Sequence, residues 1–295
     1  MSSKRSEVYG KGVVSIDENE ALLSLLTPND LIETFRDPTY RPPVLPSVAL
    51  ELYELSRRVK FDYKHAIRIL ERDPMVAARV LRASQSPVFA SRVPVKSLDD
   101  ALSRLGIDVL SQIVFEVTAG MTLFRVRGYE PVMERVRRHS TAVAYISRAV
   151  AHATKQPTEL AFMCGLFHDI GVVACLLVYS GMNKGRPPVF DDVWPTVGSI
   201  HSEVSQLLAQ LWKLPDEVDR VLSHHHDPGL HNRQSPDRLA GAVFVADTIA
   251  TQLGFGLETL PDPATFASEC RAIDLGDAIM PQLMAYAETV VAQIE

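Results

Sequence analysis

The chain has 295 residues, enough for one large domain or two of ordinary size. Its 30 Lys and Arg residues against 36 Asp and Glu residues give a net charge of −6, which argues against nucleic acid or an anionic membrane as a partner. The three cysteines lie in apolar surroundings, which predicts that they are reduced core residues of a protein in a reducing compartment. The N-terminus is polar and no apolar run is longer than Val172 to Tyr179, so a cytoplasmic protein is expected.

Helical spacing of apolar residues dominates the first half of the chain, and no segment shows a competing strand pattern. Residues 1–20 are polar and weakly patterned, which predicts a flexible lead-in. The proline-rich stretch 40–46 cannot be helical and predicts an extended segment. The predicted helices are a short amphipathic one from about Ala21 to Phe35, one capped by Ser47 that runs to about Val59, one from Asp62 to Glu71, one opened by Asp73-Pro74, one from Ser97 to Gly106, and a longer one to about Phe124.

The second half continues in the same all-α pattern. A turn at Gly128 to Pro131 predicts a subdomain boundary, and a loop is predicted at Gly181 to Pro188. A helix from about Arg238 to Leu253 precedes a connector and a terminal helix near Gly276 to Ile294. The predicted organisation is residues 1–39 as a flexible extension with one short helix, about 40–127 and about 128–255 as two helical subdomains, and 256–295 as the connector and last helix.

Histidine and aspartate side chains fall on the apolar stripes of these second-half helices. His139 sits in a stripe whose members are spaced four or three residues apart, the period of one helix face. His201 and His225 are in line with apolar residues in the same way, His226 lies one position round, and Asp247 falls between Val243 and Ala250. His224 instead aligns with Arg220 and Glu217 and is expected to face solvent.

Buried imidazoles and carboxylates need partners. A lone histidine on an apolar face is most often bonded to a backbone carbonyl, but a buried carboxylate without a partner costs several kcal/mol or takes up a proton. The adjacent pair His168-Asp169 would project about 100° apart on a helix and embrace one ion from two sides. Imidazole plus carboxylate suits zinc, iron or manganese, either as one ion or as two that share an aspartate. The candidate ligands are His139, His168, Asp169, His201, His225, His226 and Asp247.

This ligand pattern resembles the HD metal-dependent phosphohydrolase superfamily, and residues of about 40–255 are similar to HDOD domains, the HD-related output domains of bacterial signalling proteins. The resemblance implies a fold in which an N-terminal helical subdomain packs on an HD-like subdomain. It further implies a regulatory scaffold that binds signalling proteins, with any metal in a structural or sensing role. The motifs that carry it, in order, are Pro43-Val44-Leu45-Pro46, Arg72-Asp73-Pro74 to Leu81, Ser97 to Gly106, Gly165 to Gly171 and Leu211 to Pro215.

Several departures keep other functions open. Gln85-Ser86-Pro87 and Ala90 replace residues usual in the family. Val172 stands where active HD-GYP cyclic-dinucleotide phosphodiesterases usually carry a lysine, and no Gly-Tyr-Pro loop follows His226.

One alternative is a phosphohydrolase of a nucleotide or cyclic dinucleotide, in which bound metals activate water, with Asp169 and His201 as candidate catalytic residues. Another is a receptor that binds a nucleotide without cleaving it and uses a basic cluster of Arg125, Arg127, Arg135, Arg137 and Arg138, which otherwise reads as a solvated helix start.

Overall fold

A computed structural model describes residues 25–45, 47–58, 60–89, 95–182, 187–226 and 237–294. These ranges are helical and contain no strand, which confirms the all-α fold. Short 3₁₀ turns at Pro87–Phe89 and Asp277–Ile279 and a π turn at Thr251–Phe255 interrupt the α-helices. The α-helices are α1 Pro28–Arg36, α2 Ser47–Ser56, α3 Tyr63–Glu71, α4 Pro74–Ser84, α5 Leu98–Thr122, α6 Glu130–Ala153, α7 Thr158–Phe167, α8 Ile170–Met182, α9 Phe190–Leu211, α10 Asp216–His224, α11 Arg238–Ala250, α12 Pro263–Ala272 and α13 Met280–Val291.

Three of the predicted capping residues precede helices of the first half, whereas Ser47 is itself the first residue of α2. The Asp62 side chain accepts from the Lys64 amide, Asp73 accepts from two amides at the start of α4, and Ser97 accepts from the Asp100 amide. The helix predicted from about Ala21 begins later, because Thr27 and Asp30 form a capping box with proline at the first turn. Residues 1–24, including the predicted lead-in, lie outside the described residues.

Some predicted helix ends were wrong by a few residues. Gly106 breaks α5 as predicted, with φ 77° and ψ 168°, yet the helices on either side join into one bent element. α2 ends at Ser56 rather than near Val59, because the chain turns at residues 57–58. The loop predicted from Gly181 starts later, since Gly181 and Met182 close α8; residues 183–186 lie outside the described part.

The connector prediction missed a helix. Asp262 caps α12 by accepting from two backbone amides, and Pro263 occupies its first turn, a start signal that sequence reasoning passed over. The final helix starts at Met280 after a 3₁₀ turn, not at Gly276. The helix predicted to reach Leu253 changes to a π turn after Ala250.

Helix α6 is the centre of the second half, with α7, α11 and α13 packed on it. α9 packs between α8 and α10 and also receives α1, whose Leu31 and Phe35 are buried. Helices α2 to α4 pack in sequence against one another and α5, and α5 meets α7. Aromatic side chains connect α5 with the second half of the chain, because the Phe167 ring contacts Phe115 on one side and Trp212 on the other. The domain limits given above remain a prediction.

Two stretches, 98–122 and 158–182, are long and apolar enough to cross a membrane by length and composition. The most apolar window of the second stretch is 89% buried inside the protein and that of the first is 50% buried. Burial in the helical core therefore accounts for the apolar character of α7 and α8. The three cysteines are buried and form no disulfide.

Candidate metal centre

The structure brings all seven predicted ligand residues to one buried point. His224, which was expected to face solvent, is partly exposed and lies outside the cluster; its Nδ1 contacts the Arg220 carbonyl. The cluster residues come from the middle of α6 (His139), the turn between α7 and α8 (His168 and Asp169), α9 (His201), the end of α10 (His225 and His226) and α11 (Asp247).

The His168-Asp169 pair occupies a turn, not the interior of a helix as expected. His168 nevertheless keeps helical dihedrals, φ −54° and ψ −40°, and His225 at the end of α10 does the same with φ −64° and ψ −18°. The angular spread expected of neighbouring helix residues therefore still applies.

Backbone hydrogen bonds fix the tautomers of four histidines. Because a carbonyl oxygen only accepts, the Nδ1 that contacts it must carry the hydrogen, and the Nε2 lone pair then points into the cluster. This arrangement is the one that metal-bound histidines adopt. The Nδ1 donors and their acceptors are His139 to the Phe255 carbonyl at 2.8 Å, His168 to Gly165 at 2.8 Å, His201 to Gly198 at 2.8 Å and His225 to Leu222 at 2.7 Å.

Two buried polar atoms of the cluster lack hydrogen-bond partners, and other donor atoms crowd one another. The Nε2 atoms of His139 and His168 lie only 3.0 Å apart, which is a close approach of two basic nitrogens. The buried Oδ1 of Asp169 and Nε2 of His225 have no hydrogen-bond partner at all. Leaving such groups unsatisfied in the interior costs about 1–3 kcal/mol each. A cation among these atoms would satisfy all of them, so the residues fit a metal ion.

Asp169 lies between two groups of donors. Its Oδ2 is 3.3 Å from His139 Nε2 and 3.4 Å from His168 Nε2, whereas its Oδ1 is 3.3 Å from His201 Nε2 and 3.6 Å from His225 Nε2. Asp247 Oδ1 joins the first group, 3.4 Å from His139 Nε2. Donors bound to one ion at about 2.0–2.1 Å are roughly 3–3.5 Å apart. The spacing therefore suits two ions with Asp169 shared between them.

Burial and neighbouring charges shift the pKa values of Asp169 and of the histidines around it. Burial alone would raise the pKa of Asp169, but the imidazoles around it hold that pKa well below its usual range. Burial lowers the pKa of His168 to about 3 and also lowers the pKa of His201 and His226. Although burial opposes it, contact with the Asp169 carboxylate raises the pKa of His139. The cluster thus holds an ionised Asp169 beside the neutral imidazoles of His168, His201 and His226, the form in which these groups bind a cation.

Glu258 is a neighbour of the cluster that sequence reasoning missed. Its Oε2 lies 3.7 Å from His226 Nε2 and its Oε1 lies 4.0 Å from His201 Nδ1. Burial and the carboxylates of Asp169 and Asp247 raise the pKa of Glu258 to about 7. It follows the last helical turn of α11 in a segment without apolar periodicity, so no stripe pointed to it.

The basic cluster is balanced by nearby acids. Arg137 forms a two-point ion pair with Glu134, at 2.9 and 2.6 Å. Arg125 and Arg127 line an open groove together with Glu130 and Glu134. This pairing of opposite charges favours the prediction of a solvated helix start over that of a phosphate site.

Comparison with known proteins identifies a family match. A model of the HDOD domain family matches residues 43–228, so Asp247 and Glu258 lie beyond the matched part. An uncharacterized protein of Treponema pallidum (strain Nichols) is 24% identical over 197 residues, which are 63% of this chain and 37% of that protein. The chain thus spans well under half the length of this relative.

Solved structures show the same fold at low identity. A protein of Shewanella amazonensis SB2B, provisionally named a metal-dependent phosphohydrolase, superposes with a TM-score of 0.72 at 17% identity, over 91% of this chain and 98% of its own. An HDOD domain protein of unknown function from Geobacter sulfurreducens superposes with a TM-score of 0.66 at 21% identity, over 88% of this chain and 97% of its own. A protein of Marinobacter aquaeolei VT8, provisionally named a signal transduction protein, superposes with a TM-score of 0.64 at 18% identity, over 96% of this chain and 67% of its own.

Proposed function

The chain belongs to the HDOD domain family, and on that premise we propose that it is a regulatory protein of bacterial signal transduction that acts by binding other signalling proteins. In this proposal one or two divalent ions, of zinc, iron or manganese, have a structural or sensing role. The observation that carries the metal part is the pair of buried, unpartnered atoms, Asp169 Oδ1 and His225 Nε2, where the helices of the second half meet. The name of the Marinobacter neighbour supports the signalling part.

The position of the cluster explains how an ion could regulate the protein. Its residues belong to elements far apart in sequence, from His139 on α6 to Asp247 on α11, so a bound ion would cross-link the whole second half. Because metal binding stabilises the conformation that presents the ligands together, occupancy would decide how rigid this half is. A partner protein could then distinguish the loaded from the empty state.

A phosphohydrolase is the second candidate, favoured by the contact of both Asp169 oxygens with separate donor groups. A pair of ions in such a site would supply an activated water and neutralise a phosphoryl oxygen. In that case Asp169 would orient the ions, and His201 would hold one of them through its Nε2 lone pair. The name of the Shewanella neighbour is in line with this candidate. Against it, Val172 is fully buried and offers no cation to a phosphate.

The metal content of purified protein tests the proposal. We expect tag-free wild type to contain one or two equivalents of a divalent transition metal by elemental mass spectrometry. Asp169→Asn keeps the size of the side chain but replaces a carboxylate oxygen in the middle of the cluster, so it is expected to lose most of that metal. A wild type that stays folded, contains no metal and takes up none would contradict the proposal.

The same preparations separate regulation from catalysis. Wild type and Asp169→Asn, each incubated with the metal found, are compared on cyclic dinucleotides, nucleoside phosphates and bis(p-nitrophenyl) phosphate. The regulatory proposal expects no turnover above that of Asp169→Asn. Turnover that requires Asp169 would establish the hydrolase instead.

A further inference from the structure

We infer that Glu258 is a metal ligand of this centre, supplied by the segment after α11 to the ion on the His201 and His226 side. This inference rests on the proposed metal function. It adds an eighth residue to the seven that the ligand pattern indicated, and one that lies outside the matched HDOD residues.

The segment that carries Glu258 is fastened to the cluster itself. The Phe255 carbonyl accepts the hydrogen bond from His139 Nδ1 at 2.8 Å, and the Arg138 guanidinium lies over the Phe255 ring at 4.7 Å from its centroid. Thr251 Oγ1 is 3.4 Å from Asp247 Oδ1. The chain is thus tied to two ligand residues before it reaches position 258.

Gly254, in the segment between α11 and Glu258, adopts a left-handed backbone conformation. Gly254 has φ 85° and ψ 14°, a conformation that is costly for residues with a side chain, and it lies inside the π turn Thr251–Phe255 that follows α11. The segment thus runs from Phe255, which contacts His139, to Glu258, which lies near His226. The position of the Glu258 carboxylate is therefore set by the fold of the segment.

The carboxylate meets the cluster where the cluster is most open. The donors on the His201 and His226 side, called here the outer donor group, differ in exposure. Asp169 and His201 are nearly inaccessible, whereas the His226 side chain is 29% exposed and that of Glu258 is 37% exposed. Glu258 Oε2 lies 3.7 Å from His226 Nε2, which in turn lies 3.0 Å from His201 Nε2. These separations are close to those of atoms that share one ion. Glu258 would complete the coordination on the side that faces solvent.

Glu258 as a ligand would restrict the chemistry of the outer ion, the one on the His201 and His226 side. With imidazoles of His201, His225 and His226, the shared Asp169 and the carboxylate of Glu258, the ion would have up to five protein donors. A site closed by protein donors holds an ion, whereas a catalytic site keeps a position open for water or substrate. The inference therefore favours a structural or sensing ion, and it links that ion to the chain that continues into α12 and α13.

A zinc titration of three proteins tests the inference. Glu258→Gln removes the charge and keeps the shape, and Glu217→Gln, an exposed carboxylate on α10, is the matched control for charge. Metal-free proteins are titrated with Zn²⁺ against a chromophoric chelator to obtain the number and affinity of sites, and the visible spectrum of the Co²⁺ form reports the ligands. We expect wild type and Glu217→Gln to bind two ions. Glu258→Gln is expected to keep one and to bind the other about 10- to 100-fold more weakly, with an altered Co²⁺ spectrum.

The remaining outcomes overturn one idea or both. If Glu258→Gln matches wild type in both affinities and in the Co²⁺ spectrum, Glu258 is not a ligand, and the proposed metal function stands without it. The same holds if wild type binds a single ion that Glu258→Gln does not affect. If wild type binds no Zn²⁺ or Co²⁺, the metal function and this inference fail together.

Discussion

Gly171→Ala is expected to lower the free energy of unfolding by about 3 kcal/mol or more, at the upper end of overpacking effects. A Cβ at position 171 would lie 2.1 Å from the His201 carbonyl oxygen and 2.9 Å from the Ser205 backbone nitrogen. Both obstacles are backbone atoms of α9, so no side-chain rotation relieves the clash. The start of α8 and the middle of α9 must move apart. The free energy is measured by chemical denaturation, and in thermal denaturation the Tm is expected to fall by roughly 6–12 °C.

The clash would also disturb the metal centre. The Gly171 amide donates to Ser205 Oγ at 2.8 Å, and that hydroxyl donates to the His168 carbonyl at 2.7 Å. These bonds hold the His168-Asp169 turn against α9, which carries His201. Any separation of the two helices therefore shifts the two sides of the cluster relative to each other, and we expect Gly171→Ala to lose metal as well as stability.

Gly181→Ala is the control for this substitution. Gly181 lies near the end of the same helix, is exposed, and a Cβ there would meet nothing within 4 Å. Alanine has the higher helix propensity, so the free energy of unfolding is expected to rise by up to about 0.5–1 kcal/mol. If the two variants melted alike, the contact between α8 and α9 would not have the energetic role assigned to it.

The members of the cluster could be predicted from the sequence because burial leaves a periodic pattern. His139 and Asp247 occupy positions that an apolar residue would otherwise take in a helix stripe, and polar residues are rarely retained there without a partner. The capping residues Asp73 and Ser97 were predictable for a similar reason, since a helix start needs an acceptor for its free amides. Both signals are local in sequence, and the fold class followed from them.

What the sequence did not indicate depends on contacts distant in the chain or on backbone detail. Glu258 reaches the cluster by a turn at Gly254, and no periodic pattern marks such a return. The hydrogen bond from His139 to the Phe255 carbonyl joins residues 116 positions apart and could not be deduced from either one. The missed helix α12 is different, because Asp262-Pro263 was a readable start signal.

Zn²⁺ at a hundredfold excess over its dissociation constant is expected to raise the free energy of unfolding of wild type by about 2.7 kcal/mol for each ion bound. The same addition is expected to leave Asp169→Asn nearly unchanged. Asp169 contacts both donor groups, so its replacement would remove a carboxylate oxygen from the proposed site of either ion. The measurement is the Tm of each protein with Zn²⁺ and with EDTA. Asp191→Asn, an exposed carboxylate on α9, should respond like wild type.

The comparison within each protein makes this a test of the folded site. Zn²⁺ also binds cysteine and histidine in an unfolded chain, which reduces the apparent stabilisation. Asp169→Asn retains every cysteine and histidine of wild type, so that effect is the same in both, and the difference between their responses belongs to the folded cluster. An ion that cross-links α6 to α11 must stabilise the protein by this amount, whether or not it activates water. Equal responses of wild type and Asp169→Asn would therefore rule out the structural ion, and with it the regulatory role proposed for the centre.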